Sequence, residues 1–219
     1  MLLFQILDGR FDLIAILAFV AALLLAITVH EFSHAAAAAK LGDPTAKNLG
    51  RLTLNPVAHL DPIGTLAILL VGFGWGKPVP FDPAKLANPK KDSAIISLAG
   101  PASNLVLALV LSIPYQIGFW TNLFLPQIFV IYSVIVTAIW LNLILAVFNL
   151  VPVHPLDGFK VLGGLLPKNW YDDFQQMANY GLIILLFLIL PVAGEPFLAR
   201  IILPIVSLIL SLLLPNLGG

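Results

Sequence analysis

Residues 13–39 read LIAILAFVAALLLAITVHEFSHAAAAA, and ionisable side chains occur in this stretch only at His30, Glu31 and His34. An apolar helix of this length can cross a hydrocarbon core of about 30 Å. The whole chain has the same character, since 60% of its 219 residues are hydrophobic and 10% are charged. Soluble domains carry roughly a quarter charged residues. With so few charged residues, a water-soluble fold could not cover its surface with polar side chains, so the sequence predicts an integral membrane protein.

Further apolar stretches predict several more membrane passes. No charged residue or histidine occurs from Ser93 to Val153, a stretch too long for one pass and interrupted by polar residues and a proline near Trp120–Gln127. We therefore predict spans at about Ser93–Phe119, Ile128–Leu150, Asp173–Leu190 and Phe197–Leu214, after the one beginning at Leu13. A sixth around Asp157–Leu166 is left open. The predicted fold class is an all-α polytopic membrane protein with about five to six transmembrane helices, forming a single domain over residues 1–219.

A shorter element is expected after the first helix. Ile63–Leu70 is apolar but too short to span, which predicts a segment that dips into the membrane and returns. Val71–Phe81 alternates glycine with bulky residues and then meets two prolines, a pattern that excludes a stable helix. We predict a re-entrant or β-hairpin element here, whose free edge could pair with an unwound substrate. The alternative is a flexible loop with Trp75 at the membrane interface.

The basic residues predict the orientation of the chain. Nine of the eleven Lys and Arg residues lie in two loops, at positions 40–91 and 160–168, which a five-pass count puts on the same side. The positive-inside rule places that side in the cytoplasm, with the N-terminus outside. The first residues lack a basic region ahead of a cleavage site, so we expect the first span to be retained. Zero net charge argues against nucleic acid, and the absence of Cys excludes disulfides and thiolate metal sites.

The first helix carries the pattern His30-Glu31-Phe32-Ser33-His34. Ionisable side chains inside a span cost about 2.5–3.5 kcal/mol each on insertion scales, so they need a reason. Positions i and i+4 share one helix face, so both imidazoles can point at one metal ion. Zn²⁺ suits such ligands, and Glu31 beside them suits a general base that activates water. The alternative is a chance match on a helix whose polar face packs against its neighbours.

Catalytic zinc usually has three ligands from the protein, so the two histidines leave one ligand to be found. A second motif offers a candidate. Residues 149–158 read NLVPVHPLDG, and the prolines at 152 and 155 open the backbone directly after a membrane helix. Asp157 ends this segment, and Gly158 allows a close backbone approach. The carboxylate of Asp157 is either the third metal ligand or the N-cap of a short helix at Gly158–Leu166.

These motifs together resemble the site-2 protease family of intramembrane zinc metalloproteases, in the short form without a PDZ domain. His30–His34 and Asn149–Gly158 lie in the family's order, and Gly100-Pro101-Ala102-Ser103-Asn104 is similar to its Gly-Pro-x-x-Asn. Gly50–Leu66 resembles the short bacterial-type branch of the family.

The resemblance implies that one Zn²⁺ per chain is bound by His30, His34 and Asp157. It also implies that Glu31 activates water, and that Asn104 and Asn149 support the site through hydrogen bonds. The expected activity is regulated intramembrane proteolysis, with transmembrane proteins as substrates, in a bacterial-type cell membrane and with the site toward the cytoplasm.

Two further histidines do not belong to this pattern. We interpret His154 as a residue at the cytoplasmic rim, although coordination is a second possibility, and His59 as a surface residue. Any regulatory partner is unknown from the sequence.

Two other classes of function compete with the protease. An ion-binding transporter would have ionisable groups at several depths, whereas 174–190 and 201–214 contain no charged residue and no histidine. A catalytically silent scaffold would have lost a ligand or the base, and all four are present. The sequence therefore favours the enzyme.

Overall fold

The protein is mainly helical in the regions that a computed structural model describes, which are residues 13–71, 74–121, 129–191 and 194–214. Nine α-helices and two 3₁₀ helices (Pro56–His59 and Pro83–Lys85) form within these ranges. The α-helices are α1 (Leu13–Lys40), α2 (Thr45–Asn48), α3 (Pro62–Val71), α4 (Pro89–Trp120), α5 (Phe129–Asn149), α6 (Asp157–Leu165), α7 (Lys168–Gln176), α8 (Ala178–Ile189) and α9 (Phe197–Leu213).

Three of these helices are long and apolar enough to cross a membrane, namely α1, α4 and α5. They correspond to the first three predicted spans. The span predicted at Asp173–Leu190 is divided between the polar α7 and the twelve-residue α8, and α9 has 17 residues. Helix α6, where a sixth span was left open, has nine residues and is too short to cross. Most of the turn predicted at Trp120–Gln127 lies outside the described residues.

Small side chains let the three long helices approach each other. Helix α4 packs against α1, α5 and α6, and α1 also packs against α5. On α1 the buried residues include Ala22, Ala26, Ala35 and Ala38, whereas large residues such as Leu17 are exposed. Small residues at the interface and large ones outside are the arrangement expected where lipid, as apolar as leucine, surrounds the bundle. The backbones of α1 and α4 can therefore come close enough to bring polar groups together.

The segment between α1 and α4 is held by local hydrogen bonds. Helix α1 ends where Gly42 adopts a φ of 104°, which an L side chain rarely allows. The buried Asp43 then accepts hydrogen bonds from the backbone and hydroxyl of Thr45 and, at 2.6 Å, from the amide of Asp82. Burial opposes the charged form of Asp43, but these bonds and nearby Lys85 lower its pKa below the ordinary value. Both ends of the segment are thus tied together.

Residues 74–82 are non-helical, as the sequence predicts, and make one antiparallel bridge. It pairs Leu60 with Gly76, and the amide of Lys77 donates to the carbonyl of His59 at 2.8 Å. The apolar stretch before it forms α3, and a Cβ on Gly64 of that helix would lie 2.1 Å from the carbonyl oxygen of Trp75. Positions 72 and 73 of the predicted hairpin lie outside the described residues. The re-entrant or hairpin element stays a prediction.

Candidate metal centre

Three side chains from two distant parts of the chain converge in the bundle. The Nε2 atoms of His30 and His34 on α1 lie 3.0 Å apart. Asp157, the first residue of α6, places its Oδ2 atom 3.1 Å from Nε2 of His30 and 3.2 Å from Nε2 of His34. Both imidazoles are buried, and the side chain of Asp157 is 17% exposed. The residues predicted as metal ligands therefore form one cluster with three potential ligand atoms.

The other nitrogen of each imidazole is occupied by a neighbour. Nδ1 of His34 lies 2.7 Å from the carbonyl oxygen of Ile96, which can only accept, so Nδ1 carries the hydrogen. Nδ1 of His30 lies 2.6 Å from Oδ1 of Asn104. With both Nδ1 atoms donating, both Nε2 atoms present lone pairs to each other and to the carboxylate of Asp157. Such a group of facing lone pairs is suited to a cation.

The orientation of Asn104 is set by a residue that the sequence analysis missed. The Nδ2 group of Asn104 donates to the carbonyl of Ala26 at 3.0 Å and to Oδ1 of Asn142 at 2.7 Å. Asn142 in turn donates to the carbonyl of Ala138 at 2.8 Å, and neither asparagine side chain is exposed. Since backbone carbonyls only accept, both amides are fixed, and Oδ1 of Asn104 must face His30. Asn142 is a polar residue inside the apolar α5, so the insertion-cost argument applied to His30 also pointed to it.

Asp157 is not the N-cap of its helix. Helix α6 begins at Asp157 itself, its N-cap position is Leu156, and no side chain caps it. The carboxylate is thus free to face the histidines. Gly158 allows this entry into the bundle, because a Cβ there would lie 2.2 Å from the carbonyl oxygen of Leu150. The close backbone approach predicted at Gly158 is confirmed.

Gly100 on α4 forms one wall of the ligand cluster. A Cβ at this position would lie 2.4 Å from Nε2 of His34 and 2.7 Å from Cε1 of His30. These separations are well inside van der Waals contact. The glycine of the Gly-Pro-x-x-Asn pattern therefore gives the imidazoles the space they occupy.

Glu31 is held by the segment that follows α3. Its Oε2 atom accepts a hydrogen bond from the amide of Val79 at 3.0 Å. Gly76 packs on the same part of α1, since a Cβ there would lie 3.1 Å from Cγ2 of Ile27 and 3.8 Å from Oε1 of Glu31. The sequence marked Glu31 as the base but did not reveal the amide that orients it.

The remaining histidines differ from one another. His59 is fully buried, so its interpretation as a surface residue is wrong; it lies beside the buried Arg51, and its Nε2 donates to the carbonyl of Thr53 at 2.8 Å. His154 is half-buried and packs edge-on against Phe159, with ring centroids 5.7 Å apart. Burial and the charge of nearby Lys160 lower the pKa of His154. Neither histidine belongs to the three-residue ligand group found in the described part of the chain.

Asn149 lies at the end of α5 and donates to the carbonyl of Leu145, one turn earlier, at 2.9 Å. This contact is within its own helix. The supporting role of Asn149 therefore stays a prediction, whereas Asn104 contacts His30 of the cluster directly.

A cavity of about 310 Å³ lies next to the segment that holds Glu31. Val79 lines it, and its other walls include Phe81, Lys90, Lys160 and Tyr171. The ammonium of Lys160 lies 4.4 Å from the ring centroid of Phe81, and that of Lys90 lies 4.9 Å from the ring centroid of Tyr171. Among the described residues, no carboxylate lines the cavity.

Comparison with known proteins agrees with this architecture. The model of peptidase family M50 matches residues 125–189. "Putative zinc metalloprotease YwhC" of Bacillus subtilis is 42% identical over 183 residues, covering 79% of this chain and 80% of the relative. "Putative zinc metalloprotease Rip2" of Mycolicibacterium smegmatis is 33% identical over 184 residues, covering 81% and 69%.

A more distant relative is "Zinc metalloprotease MJ0392" of Methanocaldococcus jannaschii, which is 29% identical over 175 residues, covering 75% of this chain and 41% of the relative. Among solved structures, none matches the chain. Since the similarity to YwhC extends over most of both proteins, the chain belongs to peptidase family M50.

Proposed function

We propose that this protein is an intramembrane zinc metallopeptidase that hydrolyses peptide bonds of transmembrane protein substrates. The observation that carries the proposal is the cluster of two Nε2 atoms and one carboxylate oxygen, mutually 3.0–3.2 Å apart. The relatives named zinc metalloproteases support the same chemistry.

The three ligand atoms fit a zinc ion. With bonds of about 2.0–2.2 Å, tetrahedral ligand atoms lie about 3.3–3.5 Å from each other. The observed separations are within a few tenths of an ångström of that spacing. His30, His34 and Asp157 would hold one Zn²⁺ per chain and leave the fourth position open. Zinc supplies a Lewis acid that polarises a carbonyl and makes water more acidic.

In the proposed reaction Glu31 acts as general base and then as general acid. Its carboxylate takes a proton from the attacking water as the oxygen bonds to the scissile carbonyl carbon. As the C–N bond breaks, Glu31 returns this proton to the leaving nitrogen, so that water is divided between a new carboxyl group and a new amine. The amide of Val79, bonded to Oε2 at 3.0 Å, leaves Oε1 for the water.

A substrate must present an extended backbone, because a helix engages its own carbonyls. Residues 74–81 border both Glu31 and the 310 Å³ cavity, which can take a side chain next to the cut bond. Pairing along this edge has a limit, because Pro78 and Pro80 have no N–H to donate. The part best suited to pair with substrate backbone is therefore Gly74–Gly76.

The proposed setting is a bacterial-type cell membrane, in which the chain forms one domain with about five passes and its site faces the cytoplasm. The orientation is supported by the basic residues, since Val79 lies within the basic loop at 40–91 and Asp157 lies directly before the basic residues at 160–168.

Metal analysis tests the proposal without a known substrate. We would measure zinc per chain in detergent-solubilised protein by elemental analysis, comparing wild type with His34→Ala, Asp157→Ala and the exposed-residue control Arg200→Met. About one zinc in the wild type and the control, lost in both ligand variants, is expected.

Cleavage of fluorescently labelled casein, an unfolded probe, should then be abolished in Glu31→Gln while zinc is retained. Zinc unaffected by Asp157→Ala would refute the ligand set. Stoichiometric zinc with equal proteolysis by Glu31→Gln would refute the mechanism. Absence of zinc after reconstitution would favour a silent scaffold or an ion-binding transporter.

A further inference from the structure

Arg51 is a buried cation with an unusual set of partners. It is 5% exposed. The ion pairs found among the described residues include none between Arg51 and a carboxylate. Its Nη1 donates to the carbonyl of Pro78 at 2.9 Å, and its Nη2 donates to the carbonyl of Lys77. Burying a guanidinium costs free energy that neutral carbonyls offset only in part. An apolar residue would fill the space at lower cost, so the contacts themselves require an explanation.

His59 also contacts the segment whose carbonyls Arg51 binds. Its Nε2 donates to the carbonyl of Thr53, so its Nδ1 has a lone pair for Nη2 of Arg51, 3.5 Å away. The carbonyl of His59 accepts from the amide of Lys77 at 2.8 Å. Lys77 is therefore bound at both its N–H and its C=O by one neighbouring loop.

The contacts of Arg51 and His59 with this segment also affect the proposed base, Glu31. Val79 follows directly on the two residues whose carbonyls Arg51 binds, and its amide is the donor to Glu31. Because Pro78 and Pro80 lack an N–H, no neighbouring amide can replace that of Val79. The position of this single donor depends on the backbone of residues 77 and 78.

We propose that Arg51 is a positioning residue: by fixing the carbonyls of Lys77 and Pro78 it aims the amide of Val79 at Glu31. The inference rests on the proposed role of Glu31 as the base. Arg51 makes no described hydrogen bond to Glu31 or to a residue of the metal cluster, although its charge attracts that of Glu31 at longer range. It therefore affects the aim of the base and leaves metal binding intact.

Backbone hydrogen exchange tests the hold independently of any substrate. We would compare wild type with Arg51→Met, Arg51→Lys, Glu31→Ala and Arg200→Met, an exposed-arginine control. In Arg51→Met the amides of Lys77 and Val79 should both exchange about tenfold faster or more, the expected result of losing bonds to a charged donor. Glu31→Ala should accelerate Val79 alone. Arg51→Lys, which reaches one carbonyl, should be intermediate, and amides of α1 and α4 should not change.

Metal content and casein cleavage separate positioning from general damage. Arg51→Met should keep the wild-type zinc stoichiometry while kcat falls by about 100-fold, the cost of misplacing a reacting group by roughly 1 Å. Unchanged exchange at residues 77 and 79, loss of zinc, or a wild-type kcat would each overturn the inference. If Arg51→Met does not fold, Arg51→Lys carries the same comparison.

Proteolysis by Glu31→Gln at the wild-type rate would refute the role of Glu31 as the base, and with it the positioning role that we assign to Arg51. The exchange data would still show whether Arg51 holds the segment, so the two failures are distinguishable.

Discussion

Substitution of Gly100 by alanine should strongly weaken zinc binding without altering any of the proposed ligands. The new Cβ would lie 2.4 Å from Nε2 of His34, the nitrogen that we propose binds the metal. Ordinary contact begins near 3.5 Å, so the methyl group and the imidazole must separate by about 1 Å. Metal sites tolerate ligand displacements of about 0.2 Å. We expect the apparent zinc affinity to fall about 100-fold or more. This is at or beyond the upper end of the losses in affinity that follow mutation of residues around metal ligands.

The assay is competition for zinc against a chelator in detergent micelles, supported by elemental analysis. Gly163→Ala on α6 is the matched control, because its Cβ would come closest to the end of the Gln175 side chain, at 3.2 Å, and would meet Phe174 and Tyr171 at an ordinary contact distance of 3.5 Å. Alanine is favoured over glycine inside a helix by about 1 kcal/mol, so helix propensity cannot account for a loss in either variant. Wild-type zinc affinity in Gly100→Ala would refute the close packing of α4 on the histidines.

Three further substitutions test the surroundings of the site. Asn142→Leu should weaken zinc binding by about tenfold by releasing the amide of Asn104, whereas Asn149→Ala should not change it; equal losses in chelator competition would contradict this distinction. Gly158→Ala should reduce both zinc content and thermal stability, because its Cβ would overlap a carbonyl 2.2 Å away; unchanged values in metal analysis and thermal unfolding would contradict the geometry. Asp43→Asn should lower the thermal midpoint at pH 7. Folding lowers the pKa of Asp43, so the stabilisation by its carboxylate is present above the unfolded-state pKa and is lost as the pH falls through the folded-state pKa. The difference in thermal midpoint between variant and wild type should therefore shrink in acid. A pH-independent difference would refute this.

The sequence predicted the three residues of the cluster because each carried an energetic signal. Ionisable residues inside an apolar helix and a proline-broken segment ending in Asp157 are costly unless used, and both features lead to the cluster that the structure contains. The three long spans followed from length and apolarity alone. Asn142 was missed although it had the same signal in a weaker form.

Other features depend on contacts between distant backbones. The carbonyls that bind Arg51 and the amide that binds Glu31 have no side-chain signature, because every residue except proline has the same groups. His59 was assigned to the surface from its basic neighbours, whereas it is fully buried beside Arg51 and directly before the bridge between Leu60 and Gly76. The division between α7 and α8 was missed because the predicted span was begun at Asp173, within the polar residues that form α7.

The wide separation of the ligands along the chain has a consequence for biosynthesis. His30 and Asp157 are 127 positions apart. At about 5–20 residues per second, the ribosome delivers the carboxylate roughly 6–25 s after the first imidazole. If the proposed ligands are correct, a nascent chain in that interval has the two imidazoles but lacks the carboxylate, so it should be unable to cut its neighbours at the translocation site. We therefore expect translation to delay the onset of activity, and chains truncated before Asp157 to contain no zinc.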